Sequence, residues 1–240
     1  MGDASFQFKQ FRVQQDRSAM KVTTDSCLFG AWVAEQLSKE TFPEKLLDIG
    51  TGTGLLSLMI AQQNPRMEID ALELDEETAA QASQNINDSP WKDRIKIIHG
   101  DARKFTSQSK YDSIVSNPPF YENELQSAHK QKNIAHHSQE LSLADLFNAA
   151  ERNGNAAKTI YLLLPYKRVR DAETLIHNHG LSVAERVLVR QSVTHGFFRI
   201  FYKAVTEPVS VNETEISIRN ANGEYTPEFI ALLEKYYLYL

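Results

Sequence analysis

The chain has 240 residues, with 26 Lys and Arg against 31 Asp and Glu for a formal net charge of −5, 42% hydrophobic residues and 24% charged residues. That size and balance fit one globular domain with a sizeable core and argue mildly against a protein that holds nucleic acid by bulk charge. The one cysteine, Cys27, excludes an intramolecular disulfide and a thiolate metal cluster and fits a reducing cytoplasm, while no apolar run resembles a signal peptide or is long enough to span a bilayer.

The first 22 residues, polar and aromatic, read as an extended arm with room for a short strand or hairpin. "TTDSCLFGAWVAEQLSK" predicts a helix with Leu28, Phe29, Trp32, Val33 and Leu37 on one stripe and Thr24 or Asp25 as its cap. After Pro43, "KLLDIG" is a short buried strand, "GLLSLMIAQQN" a helix stopped by Asn64-Pro65, "EIDALELD" a strand, "EETAAQASQNIND" a helix and "IKIIHGD" a strand. "YDSIVSNPP" follows as a fourth strand, "SLADLFNAAERN" as a helix, "KTIYLLLP" as a fifth strand and "VRDAETLIHNHG" as a helix. "SVAERVLVRQ" and "FFRIFYKAV" are joined by a short turn, so they must pair antiparallel. These seven strands predict an α/β fold: a doubly wound, mostly parallel sheet closed by an antiparallel C-terminal hairpin. The expected organisation is an arm over 1–22, a main domain over 23–206, and a tail over 207–240 that belongs to the same domain. The tail's aromatic helix, "YTPEFIALLEKYYLYL", either docks on the core or forms an interface, and a monomer is favoured.

Chemistry concentrates where strands end. Asp48-Ile49-Gly50-Thr51-Gly52-Thr53-Gly54 joins the first strand to its helix, where glycines let the backbone turn sharply and approach a ligand. The dinucleotide pattern G-x-G-x-x-G fails because position 55 is Leu, and no Gly-Lys-Ser/Thr follows to make a phosphate loop. D-x-G-x-G-x-G resembles the first motif of the class I S-adenosylmethionine methyltransferases, whose loop wraps the methionine part of the cofactor. In that setting Glu73, about twenty residues on, accepts hydrogen bonds from the ribose hydroxyls, with Leu74 beside it. The competing reading is a surface carboxylate, and Asp75 is the substitute if the register slips. Asp101, with Ala102, follows the third strand and is placed to meet the adenine amine; a helix cap is the alternative.

Asn117-Pro118-Pro119-Phe120 leaves the fourth strand on the same carboxyl edge, where open α/β sheets bind ligands. It resembles the fourth motif of methyltransferases that act on planar, conjugated nitrogens: adenine N6, cytosine N4, guanine N2 and glutamine amides. Such a nitrogen is a poor nucleophile because its lone pair is delocalised. If the Asn117 side-chain oxygen and the Pro118 carbonyl accept its two N–H bonds, the lone pair is freed and the developing positive charge is stabilised. Pro119 stiffens the loop and Phe120 offers a face on which a flipped base can stack. This chemistry needs no metal, and His136-His137 read as surface histidines.

The arm "FQFKQFRVQQDRSAMKVTTDSCLFGAW", the glycine loop, "SNPPF" and "EYTPEFIALLEKYYL" together resemble the bacterial tRNA1(Val) adenine N6-methyltransferase family over nearly the whole chain. The resemblance implies S-adenosylmethionine as cofactor and the adenine just 3′ of the anticodon as target, with Lys21, Thr23 and Asp25 covering the cofactor pocket. An unpaired loop base is splayed out at low cost. The stretch 158–203 carries eight basic residues against three acids, whereas 206–240 carries two against six. Lys158, Lys167, Arg168, Arg170, Arg186, Arg190, Arg199 and Lys203 are therefore candidates for phosphate contacts, with Lys130, Lys132 and Arg152 as further ones. From the residues alone, a guanine N2-methyltransferase of ribosomal RNA and a glutamine-amide methyltransferase stay open. A cofactor-binding protein without catalysis would be expected to have lost Asn117 or the prolines.

Overall fold

The computed structural model describes residues 4–18, 20–40, 45–119 and 141–240. The arm forms a two-stranded antiparallel hairpin, β1 (Ser5–Gln7) and β2 (Arg12–Gln14). Helix α1 (Thr24–Ser38) leads into β3 (Lys45–Ile49), α2 (Leu55–Gln63), β4 (Glu68–Glu73), α3 (Glu76–Asn87), β5 (Ile95–His99) and β6 (Tyr111–Ser116). Then come α4 (Leu143–Asn153), β7 (Gly154–Pro165), α5 (Val169–Asn178), β8 (Ser182–Ser192), β9 (Phe197–Val205), β10 (Asn212–Arg219) and α6 (Pro227–Leu233).

The main sheet runs in the order β10-β8-β9-β7-β6-β3-β4-β5. Strands β5, β4, β3, β6 and β7 are mutually parallel, and β9 is antiparallel to both β7 and β8, which is the expected doubly wound sheet with its closing hairpin. It has eight strands where seven were expected. The addition is β10, which comes from the tail and pairs in parallel with β8. Its first four residues are exposed and only Ile216 and Ile218 are buried, so an edge position masks the alternation that marks a strand.

The central strands explain why ligands must come to the sheet's edge. In β3, Leu46, Leu47, Asp48 and Ile49 are all buried, as expected for a strand covered on both faces. Alternate residues of β7 serve the two cores: Tyr161 and Leu163 pack on the side of α1, α2 and α6, and Ile160, Leu162 and Leu164 on the side of α4 and α5. Every residue of α2 from Leu55 to Ala61 is buried, so this helix is apolar all round rather than striped. The arm and the tail finish the first core. Phe8, Phe11 and Val13 are buried in it, as is Tyr236, whose hydroxyl donates to the Met59 carbonyl at 3.0 Å. The aromatic tail thus docks on the core, while Tyr239 remains 88% exposed.

The cap of α1 is Thr23, ahead of the expected Thr24 or Asp25. Thr23 and Ser26 form a reciprocal capping box, with Thr23 N–H donating to Ser26 Oγ at 3.1 Å. Three residues beyond Thr24 stands Cys27, buried and unable to return such a bond, so the cap falls where its partner is polar.

Candidate active site

The glycine loop is built by its backbone. Gly50, Gly52 and Gly54 have φ of 73°, 57° and 82°, in the left-handed region that favours glycine. A Cβ added at Gly50 or Gly52 would meet nothing within 4 Å, so conformation, not crowding, requires glycine there, and bare backbone borders open space. Gly50 and Thr51 N–H groups donate to the Leu72 carbonyl at 2.9 and 3.0 Å, anchoring the loop to β4. Asp48 braces it from behind: Thr51 and Ser57 hydroxyls donate to its Oδ2 at 2.6 and 2.7 Å. Its carboxyl is fully buried and burial raises its pKa to about 6. Its Oδ1 has no partner among the described residues.

At the next strand end, Glu73 Oε2 accepts from Gly52 N–H at 2.9 Å, and Oε1 accepts from Leu74 and Asp75 N–H at 2.9 and 3.0 Å. The carboxylate therefore links the loops after β3 and β4. Asp75 instead caps α3 by accepting from Thr78 N–H at 2.8 Å, and hydrogen bonding to the Thr78 side chain and then its backbone lowers its pKa. Asp101 stands at a turn rather than at the start of a helix, so it is not the helix cap offered as its alternative reading. Its Oδ1 accepts from Arg103 N–H at 2.9 Å, and the Arg103 guanidinium forks onto the carboxylate, with Nη2 donating to Oδ2 at 2.8 Å. Those bonds hold its carboxyl below the usual range. An adenine amine there would share an acceptor already engaged by Arg103. Ala102 is buried and its carbonyl accepts from Arg152 Nη2 at 2.6 Å, a bond that ties α4 to the turn after β5.

The exit of β6 is stapled to the glycine loop's strand, since Ser116 Oγ donates to the Ile49 carbonyl at 2.7 Å. The next residue, Asn117, has a buried Oδ1 with no partner among the described residues. An unmet buried acceptor is costly unless something fills it, so two such oxygens at one sheet edge, on Asp48 and Asn117, suit a ligand that brings donors or positive charge. S-adenosylmethionine, with its ammonium, sulfonium and ribose hydroxyls, brings positive charge and donors to such an edge, and an exocyclic amine brings two N–H donors for Asn117. Pro118 is buried and Pro119 exposed. Phe120, Lys130, Lys132, His136 and His137 lie outside the described residues.

The fold is that of solved methyltransferases. A crystal structure described as a predicted O-methyltransferase of Agrobacterium tumefaciens superposes with a TM-score of 0.67 at 14% identity, covering 88% of this chain and 95% of that one. A SAM-dependent methyltransferase from Aquifex aeolicus does so at 0.56 and 12% identity, covering 78% and 100%. Residues 30–145 match the family model of the methyltransferase small domain. The tRNA1(Val) (adenine(37)-N6)-methyltransferase of Dyadobacter fermentans is 38% identical over 241 residues, covering 98% of each chain. That of Trichodesmium erythraeum is 36% identical over 242 residues, covering 99% of each. The chain belongs to the tRNA1(Val) (adenine(37)-N6)-methyltransferase family.

In this tRNA1(Val) methyltransferase family member the arm reaches the glycine loop through residues that sequence reading passed over. Asn85 on α3 exchanges two hydrogen bonds with the Gln14 backbone and donates to the Thr53 carbonyl at 2.9 Å. One turn earlier, Gln81 donates to Asp16 Oδ1 at 2.6 Å and accepts from Arg17 N–H at 3.2 Å. The signal was two amides four residues apart on a helix whose neighbouring positions, Ala82 and Ile86, are buried. Of the expected pocket cover, Lys21 is exposed, Thr23 serves as a cap, and Asp25 accepts from Arg199 Nε at 2.6 Å.

The basic stretch is largely neutralised within the fold. Arg199 is held by Asp25, Arg190 by Glu215, Arg168 by Asp171 at 3.1 Å, Lys203 by Glu40 at 2.7 Å, and Arg186 by Glu173 and Glu213, each at 2.6 Å. Glu213 and Glu215 lie on β10, so the acidic tail folds onto the basic β8 and the two charge biases cancel. Lys167 and Arg170 are exposed. Among the described residues no group of three or more His, Cys, Asp or Glu could hold a metal ion, and no helix is long and apolar enough to cross a membrane.

Proposed function

We propose that this chain transfers a methyl group from S-adenosylmethionine to N6 of adenine 37 in tRNA1(Val), in the cytoplasm, where its substrate is found. When bound, S-adenosylmethionine supplies an electrophilic methyl group on its sulfonium. The chain's own residues position and polarise the amine. Gly50 and Gly52 let bare backbone border the cofactor crevice, and Asp48 holds the loop's shape from beneath. Glu73 serves the ribose and Asn117 Oδ1 the substrate amine.

The observation that carries this reading is the buried, unpartnered Asn117 Oδ1 at the end of β6, stapled by Ser116 next to the glycine loop. With the Pro118 carbonyl, it accepts the two N–H bonds of the adenine amine, turns the nitrogen toward tetrahedral geometry and stabilises the charge that builds there. Pro118 and Pro119 leave the exit without two backbone donors, so nothing in the two prolines competes for these acceptors. Phe120 is assigned as the stacking face for the flipped base.

The test is incubation of the purified protein with methyl-labelled S-adenosylmethionine and tRNA lacking the modification, followed by nucleoside analysis. N6-methyladenosine at position 37 is expected from the native chain. Asn117→Ala should bind S-adenosylmethionine but transfer at least ~100-fold more slowly, in line with the loss of one transition-state acceptor. Label appearing in ribosomal guanine or in a protein glutamine instead would overturn the assignment.

A further inference from the structure

We propose that a groove at the β8–β10 end of the sheet's carboxyl edge is an RNA subsite that holds a nucleotide of the substrate RNA outside the target adenine's own pocket, stacked on the Arg219 guanidinium. This inference rests on the RNA methyltransferase reading above.

The groove has a volume of about 440 Å³ and lies between the start of α1, the β8–β9 turn and the end of β10, with Thr24, Gln191, His195, Phe198, Arg219 and Tyr225 on its walls. That volume is at the lower end of small-ligand sites, about 300–1,000 Å³, and matches one nucleotide rather than a protein segment. Its place in the sheet follows from register. Ser116 at the end of β6 is opposite Leu162 of β7; Pro165 of β7 is opposite Arg199 of β9; Val189 of β8 is opposite Arg199; and Ser192 of β8 is opposite Arg219 of β10. The groove and Asn117 therefore share one edge. Two to four strand spacings across the sheet and three to five residues along it separate them, roughly 15–25 Å, within the reach of an RNA stem-loop.

Its chemistry is that of a base platform. Phe229 stacks on one face of Tyr225 with centroids 4.5 Å apart and planes at 14°, and Arg219 lies over the ring at 4.3 Å, which leaves it the opposite face. The column Phe229–Tyr225–Arg219 thus ends on an exposed guanidinium, and a donation from Nη1 to the Gly223 carbonyl holds it there. Two further pairs follow along the edge, Arg199 over Phe198 at 5.1 Å and Arg190 over Phe197 at 4.2 Å. Arg190 and Arg199 are neutralised by Glu215 and Asp25, whereas Arg219 pairs with no carboxylate among the described residues. Of these three edge arginines, Arg219 is therefore the one open to a phosphate as well as to a base. The exposed Gln191 and His195 on the facing wall add the polar groups that read a base edge.

Two variants test the subsite: Arg219→Ala, and Gln191→Ala combined with His195→Ala, whose side chains pack against no core. Binding of unmodified tRNA is measured by fluorescence anisotropy over a salt series, and methyl transfer by steady-state kinetics. Both variants should keep the native melting curve and S-adenosylmethionine affinity, with tRNA Kd and KM raised about tenfold and kcat within about twofold, as expected for loss of one stacked base. Arg219→Ala should also lower the salt slope of tRNA binding by about one. Unchanged tRNA affinity and salt slope in both variants would overturn the subsite, as would a native chain that binds no tRNA. A native chain that binds tRNA but methylates no adenine would overturn the proposed function instead, and the binding comparison would still decide the subsite.

Discussion

Asn85 and Gln14 exchange two hydrogen bonds, Gln14 N–H to Asn85 Oδ1 at 2.8 Å and Asn85 Nδ2 to the Gln14 carbonyl at 3.0 Å, and the same amide donates to Thr53 in the glycine loop. One buried side chain therefore joins the N-terminal hairpin to the glycine loop. Asn85→Ala leaves a backbone donor and two carbonyls unmet, which should cost about 2–4 kcal/mol of stability. It should also raise the S-adenosylmethionine Kd about tenfold by freeing the loop. Urea unfolding and calorimetric titration check the two effects; a stability loss with native cofactor affinity would show that the arm is structural only.

Gly52→Ala separates conformation from space. Its φ of 57° is strained for alanine by about 1–2 kcal/mol, yet a Cβ there meets nothing within 4 Å. The apo protein should thus lose only that amount in urea unfolding. Cofactor affinity should fall further, at least tenfold, because the added methyl projects into the open space bordering the loop and the N–H to Glu73 is displaced.

Asp48 gives a pH dependence of defined sign. A carboxyl that titrates near pH 6 when folded and near 3.8 when unfolded binds its proton more tightly in the folded chain. Its contribution to stability is full below the unfolded value, declines as pH rises through this window and is gone above about pH 6. The shift of about two units amounts to ~3 kcal/mol as an upper figure. Asp48→Asn cannot titrate, so its stability relative to the native chain should increase between pH 4 and pH 7. Cofactor-free denaturation series at both pH values measure that difference, and a constant difference would refute the role given to burial.

Glu215→Gln tests the cancellation of charge between β8 and β10. The Glu215 side chain is 54% exposed, so losing its pair with Arg190 should cost less than ~1 kcal/mol. If phosphates pass near β8, the released guanidinium should tighten tRNA binding a few-fold at low salt and steepen the salt slope by about one. Anisotropy titrations at two ionic strengths give both numbers.

The seven strands from β3 to β9, the helices after Pro43, the glycine loop and the Asn-Pro-Pro exit were legible in the sequence, because period-two and helical patterning and the turn chemistry of Gly and Pro are set by neighbours a few residues away. They placed Asp48, Glu73, Asp101 and Asn117 at four strand ends of one sheet. The structure alone decided what these side chains and their neighbours are bonded to. Thr23 rather than Thr24 caps α1 because its partner three residues on is Ser26. Asp101 is shared with Arg103, and Arg199 is held by Asp25 from 174 residues away. The tail's glutamates lie beside the arginines of β8 because an edge strand with only two buried residues joins the sheet there. Pairing between distant segments leaves no periodic trace in either one, so composition showed a basic stretch and an acidic tail where much of the charge is paired in the folded chain.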